Sequence, residues 1–113
     1  MSATVGTLWR ASRSLACSEL ASYYARRRGL RLTVSVKNRI YGDCVYATIE
    51  RREPPHDAVR ELAFRKWDGV LHTTIATAQA WCEGEADRLA TVARVERVAA
   101  AVAREARMEI RDA

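Results

Sequence analysis

Two histidines, three cysteines and fourteen carboxylates are the side chains of this 113-residue chain able to hold a metal or act as acids, bases or nucleophiles. Cys44 and His56 stand twelve residues apart, and His72 and Cys82 ten. Neither pair has the short CxxC or HxxxH spacing with which a turn or one helix face presents two ligands together. No metal site and no cofactor are expected. Cys44, near Arg39 at a turn, is the cysteine best placed for an activated thiol, but nucleophilic chemistry also needs a base converging on it. The five glycines are isolated, so there is no GxSxG elbow, P-loop or GxGxxG turn. Glu83, Glu85 and Asp87 crowd together as a solvated helix face would, whereas acid–base catalysis needs two carboxyl groups converging in a cleft. The chain is therefore read as a non-enzyme with no catalytic residues and no small-molecule substrate.

The basic residues are more informative. The net charge of +5 is unevenly spread: residues 1–39 hold Arg10, Arg13, Arg26, Arg27, Arg28, Arg31, Lys37 and Arg39 against Glu19 alone, and the remaining acidic residues all follow. A local field of one sign attracts phosphates or acidic surfaces. Arg26, Arg27, Arg28, Arg31, Lys37 and Arg39 gather around Gly29 and the loop after it, and Tyr41 and Tyr46 lie among them. Aromatic rings between cations can stack bases while the cations meet phosphates. These eight residues form the candidate partner-binding surface. No helix-turn-helix, RNP, KH or zinc-finger signature accompanies them, so base-specific readout is not implied.

The elements that must position this surface are read as follows. Leu8, Ser12, Leu15, Leu20 and Tyr23 recur at helical spacing from about Thr7 to Arg28, and Gly29 suits the position that ends a helix, with the arginine triplet favouring the negative end of its dipole. Leu30, Leu32, Val34 and Val36, then Val45, Ala47 and Ile49, alternate with polar residues and predict a β-hairpin over Gly29–Arg52. Its apolar face must be covered, and its outer face carries Arg31, Thr33, Ser35 and Lys37 opposite Tyr46 and Thr48. Asp57 reads as the cap of a helix to about Trp67, with a competing strand over Leu62–Trp67 that the Asp68-Gly69 turn signal would pair back onto Val70–Thr73. A last helix runs from Thr74 to about Met108 with an apolar stripe including Ile75, Ala78, Cys82, Leu89, Val92, Val95, Ala99 and Val102, and Gly84 is a point where it could break. The fold class expected is α+β in the order αββαα: a long N-terminal helix, one antiparallel hairpin, then two or three helices covering a small single-layer sheet, all in a single domain over residues 1–113. Trp9, Trp67 and Trp81 read as core.

Three separated cysteines point to free thiols in a reducing compartment, and no apolar run approaches the ~20 residues of a membrane span, so a cytoplasmic protein is expected. The leading functional expectation is a small binding protein that occupies a charged macromolecular surface, nucleic acid or a nucleic-acid-binding complex, through the basic patch, with a homodimer formed by the C-terminal helices. The alternative is a protein–protein inhibitor or adaptor acting through the C-terminal helix or the acidic patch. That class includes phage and mobile-element proteins that block a host complex, such as anti-CRISPR factors.

Overall fold

The computed structural model describes residues 7–16, 18–39, 42–53, 57–68 and 71–112. It overturns the αββαα order. Five strands, β1 (Arg10–Ala11), β2 (Glu19–Arg27), β3 (Leu30–Arg39), β4 (Gly42–Glu53) and β5 (Ala58–Asp68), form one antiparallel sheet in chain order, and a single helix, α1 (Leu71–Asp112), follows. What reads in the sequence as a lone hairpin is the β3–β4 centre of this sheet.

The expected N-terminal helix is replaced by β1, a connecting loop and β2. The large residues that suggested a helix face, Leu8, Leu15 and Leu20, are exposed, while small Ala25 is buried and Ala21 packs beside it. Along β2, Ala21, Tyr23 and Ala25 alternate with Ser22, Tyr24 and Arg26, which is strand periodicity carried by modest side chains. Gly29 ends no helix. Arg27 pairs with Leu30, and the two residues between them, Arg28 (φ 55°) and Gly29 (φ 75°), both have positive φ. Positive φ at both central residues is the mark of a type I′ hairpin turn, whose twist matches that of the flanking strands. The glycine does what its missing Cβ permits, in a different element.

The helix expected from Asp57 to Trp67 is strand β5, and Asp57 sits at positive φ in the turn before it. Helix propensity in Ala58, Arg60, Glu61, Leu62 and Ala63 yields to pairing with the free edge of β4. A register shift between Ile49 and Glu50 leaves Leu62 as an extra residue, so Leu62 and Ala63 both pack toward the core. The competing strand over Leu62–Trp67 is found within β5, but its partner is β4: Leu71–Thr73 begin the helix rather than pairing back, and Val70 lies outside the described residues.

Helix α1 crosses one face of the sheet. Ala78, Cys82 and Ala86, four apart, are fully buried against Leu32, Val34, Val45, Ala47 and Ile49, with Ile75, Trp81 and Leu89 flanking them. Small residues on this row let the helix axis come close to the strands. Trp67 of β5 meets Trp81 edge to face at 5.6 Å between centroids, and Trp9 packs at the opposite margin. The helix is continuous through Gly84. Its 42 residues span about 63 Å at 1.5 Å each, matching the longest molecular dimension of 66 Å. The radius of gyration, 18.7 Å, exceeds the ~13 Å of a compact chain this long, because the helix runs far past the sheet.

Candidate functional site

With α1 on one face, the other face of the sheet has no helix over it among the described residues. Strand pairing arranges its side chains in cross-strand rows. One row reads Arg10, Tyr24, Thr33, Thr48, Phe64 across β1 to β5; the next toward the Gly29 turn reads Arg26, Arg31, Glu50, Glu61; on the other side lie Ser22, Ser35, Tyr46, Lys66. Lys37 and Cys44 continue beyond.

The sequence-derived surface is divided by this geometry. Arg26, Arg31, Lys37 and Tyr46 share the uncovered face. Arg27 and Arg28 do not join them: Arg27 points to the helix side and donates from Nε and Nη2 to Asp87 at 2.9 and 2.8 Å, and Arg28 Nε reaches the same carboxylate at 3.2 Å. Hydrogen bonding to Arg27 comes first in pulling the Asp87 carboxyl down to about 2, and the same pairing raises Arg27. The arginine triplet is therefore split by strand alternation, one residue outward, one inward, one in the turn. Tyr41 and the Arg39 side chain lie outside the described residues.

The basic corner is built by Arg10, Arg26 and Arg31, with Arg52 beyond. Arg26 and Arg31 stand directly opposite each other in the ladder. Like charges so placed repel, and among the described residues no carboxylate forms an ion pair with Arg10, Arg26, Arg31 or Arg52. A shallow cleft at this end of the sheet is lined by Arg26, Arg31, Arg51, Arg52, Glu50 and Val59 around the Gly29 turn. Arg51 differs from the rest, because it bonds Glu53 at 2.6 Å and, with Arg60, holds that carboxyl below its ordinary range. Glu50 stands directly opposite Arg31 on its other side, with Glu61 beyond it, so the positive field is strongest toward Arg10 and Arg26 on the β1–β2 side.

Next to this corner, aromatic rings stand on the surface. Tyr24 is 38% exposed and Phe64 52%. Tyr46 leans toward Phe64, with centroids 5.7 Å apart and planes tilted by 41°, and the Lys37 ammonium lies 5.1 Å over the Tyr46 ring. Ser22 and Ser35 share a hydrogen bond at 3.2 Å beside them. Tyr24, Phe64, Arg10 and Lys66 were not legible as site residues, because β1, β2 and β5 read as helices, and Arg52, at the end of the legible β4, was passed over; the alternations Ser22–Tyr24–Arg26 and Phe64–Lys66 were the available signal.

Other groups are committed to structure. In the acidic patch, Glu85 is bonded by Arg88 and Asp87 by Arg27 and Arg28. Burial, with a smaller contribution from Glu83, pushes the Cys82 thiol up to about 12, the opposite of activation. Cys44 is a buried free thiol whose Sγ lies 3.9 Å from the Gly42 carbonyl oxygen. Cys17, His56 and the His72 side chain lie outside the described residues, and among the described residues no three potential ligands cluster for a metal. No described helix is long and apolar enough to cross a membrane. No family model, no curated protein and no solved structure matches the chain.

Proposed function

We propose that this is a non-catalytic cytoplasmic protein that binds nucleic acid through the uncovered face of its sheet, with the phosphates held at the basic corner. The observation that carries the reading is Arg26 set across from Arg31, with Arg10 and Arg52 nearby and none of the four ion-paired within the described chain. A sheet gains nothing from such a pair by itself; a phosphate lying between the two guanidiniums turns the repulsion into two charge-assisted contacts. The free Cys44 and Cys82 suit a reducing compartment. Salt-titrated binding to oligonucleotides tests the reading. Three or four phosphate contacts give a log–log salt slope of about −2 to −3, and Arg26→Glu/Arg31→Glu should weaken binding sharply. Absence of binding at low salt refutes it.

A second reading concerns the helix overhang and a second copy of the chain. Val92, Val95, Val98 and Val102 are 41%, 61%, 58% and 60% exposed. At 100° per residue Val95, Val98 and Val102 lie roughly 140–160° around the helix from the centre of the Ala78–Cys82–Ala86 row, so they form a separate apolar stripe and not spill-over from the core, with Val92 at its edge in line with Trp81. A homodimer along this stripe would bury it. Light scattering across concentration checks this: Val95→Glu/Val102→Glu should convert a dimer to monomer. A wild-type monomer at every concentration refutes the second copy and leaves the stripe to a different protein, the adaptor or inhibitor reading.

A further inference from the structure

Resting on the nucleic-acid reading above, we infer that the ligand is single-stranded, with unstacked bases seated on Tyr24 and Phe64. Tyr24 on β2 and Phe64 on the edge strand β5 project from the sheet face that no described helix covers. Tyr24 and Phe64 belong to one cross-strand row, separated by Thr33 and Thr48. These short side chains leave the flanking rings standing proud of the surface, where half of Phe64 meets water. Neighbouring strands lie about 4.8 Å apart, which sets Tyr24 and Phe64 about 14 Å from each other across three intervals, and the Arg26–Arg31 row lies about 7 Å away along the strands. Cations about one residue-pair from a line of rings match a nucleotide's own layout, phosphate on one side and base on the other.

A duplex cannot use such a face. Its bases are stacked on both sides, so a protein ring finds only phosphates, sugars and groove edges, whereas a single strand can splay a base onto each ring. Tyr46, half-buried with Lys37 over its ring, packs against Phe64 and holds that ring in place before any ligand arrives, which lowers the ordering cost of binding. All three tryptophans pack on the helix side, so Tyr24 and Phe64 are the rings of this face most open to solvent.

The test is fluorescence anisotropy at low salt with labelled oligothymidine and oligouridine of about 12 nucleotides, and a DNA duplex of equal length. Three proteins are compared: wild type, Tyr24→Leu/Phe64→Leu, which keeps apolar bulk on an exposed face, and Arg26→Glu/Arg31→Glu. Wild type should prefer the single strands by about tenfold or more. The leucine variant should lose that preference while its duplex affinity is unchanged, and the glutamate variant should weaken on every probe. Equal wild-type affinity for single strand and duplex, or a preference that survives in the leucine variant, overturns the stacking inference and leaves the phosphate reading standing. No binding of any probe at low salt overturns both.

Discussion

Arg27 and Asp87, sixty positions apart in the chain, meet as a two-pronged pair: Nε on Oδ1 at 2.9 Å and Nη2 on Oδ2 at 2.8 Å, with Nη1 also donating to Thr7 Oγ1 at 2.9 Å. The pair ties the β2–β3 turn to the middle of the helix and to the segment leading into β1. The strand alternation that turns Arg27 inward to this task turns Arg26, and Arg31 across from it, outward for a ligand.

Acid should loosen this tie. The Asp87 carboxyl is lowered from its ordinary 3.8 to about 2 by hydrogen bonding and charge from Arg27 and Arg28. A group whose folded pKa is depressed contributes stability that is complete above its unfolded value and is lost as pH falls through the folded one. The window is therefore about pH 4 down to 2. Asp87→Asn is expected to lower the melting midpoint by a few degrees at pH 7 and to flatten the melting curve's pH dependence across that window. An unchanged pH profile would show the tie to be energetically idle, as many exposed ion pairs are.

One substitution at two glycines should act with opposite sign. Gly29 sits at φ +75°, so Gly29→Ala places a Cβ in the left-handed region and is expected to cost about 1–2 kcal/mol. Gly84 is mid-helix with nothing within 4 Å of an added Cβ, so Gly84→Ala should stabilise by about 0.5–1 kcal/mol. Urea midpoints for the two variants check both signs.

The core should be steeply sensitive where the helix meets the sheet. Ile49 is fully buried in the centre of β4, and Ile49→Ala is expected to cost about 2–5 kcal/mol by lost transfer energy and the cavity left behind. Val98→Ala on the exposed stripe should stay within about 0.5 kcal/mol in the monomer. Chemical denaturation at low protein concentration measures both.

Cys82 should resist alkylation. Its thiol is fully buried and raised to about 12, so almost no thiolate exists near neutrality. Iodoacetamide at pH 8 followed by peptide mass mapping should leave Cys82 unmodified in the folded protein and label it in denaturant. Rapid labelling without denaturant would place the α1–sheet contact among the easily opened parts of the molecule.

The β3–β4 pair was legible because Leu32, Val34, Val45 and Ile49 are large, β-branched or both, and alternate without interruption. β2 and β5 were not, for two separate reasons. In β2 the inward positions are Ala21, Tyr23 and Ala25, too small on average to show as a strand face, while exposed leucines mimic a helix stripe. In β5 local propensity favours helix, and pairing to β4 overrides it, a tertiary effect no window of sequence contains. The candidate site inherits both outcomes. Arg31, Lys37 and Tyr46 were placed by the legible strands, Tyr24 and Phe64 hidden by the others. Gly29 shows the finer limit: its tolerance of positive φ was evident, but helix end and I′ turn demand the same property.

The sheet's strands lie in space in the order in which they occur in the chain. Each can therefore zip onto its predecessor by a local turn, a topology of short loops that favours rapid assembly. Helix α1 is the exception, since Ala78, Cys82 and Ala86 must return to strands formed some thirty to fifty positions earlier. On a ribosome the helix also emerges after all five strands. Until it docks, Leu32, Val34, Val45 and Ile49 line a bare apolar sheet, the surface on which a nascent chain is most prone to aggregate. The same helix that lends the finished protein its length thus decides how long each new copy stays sticky.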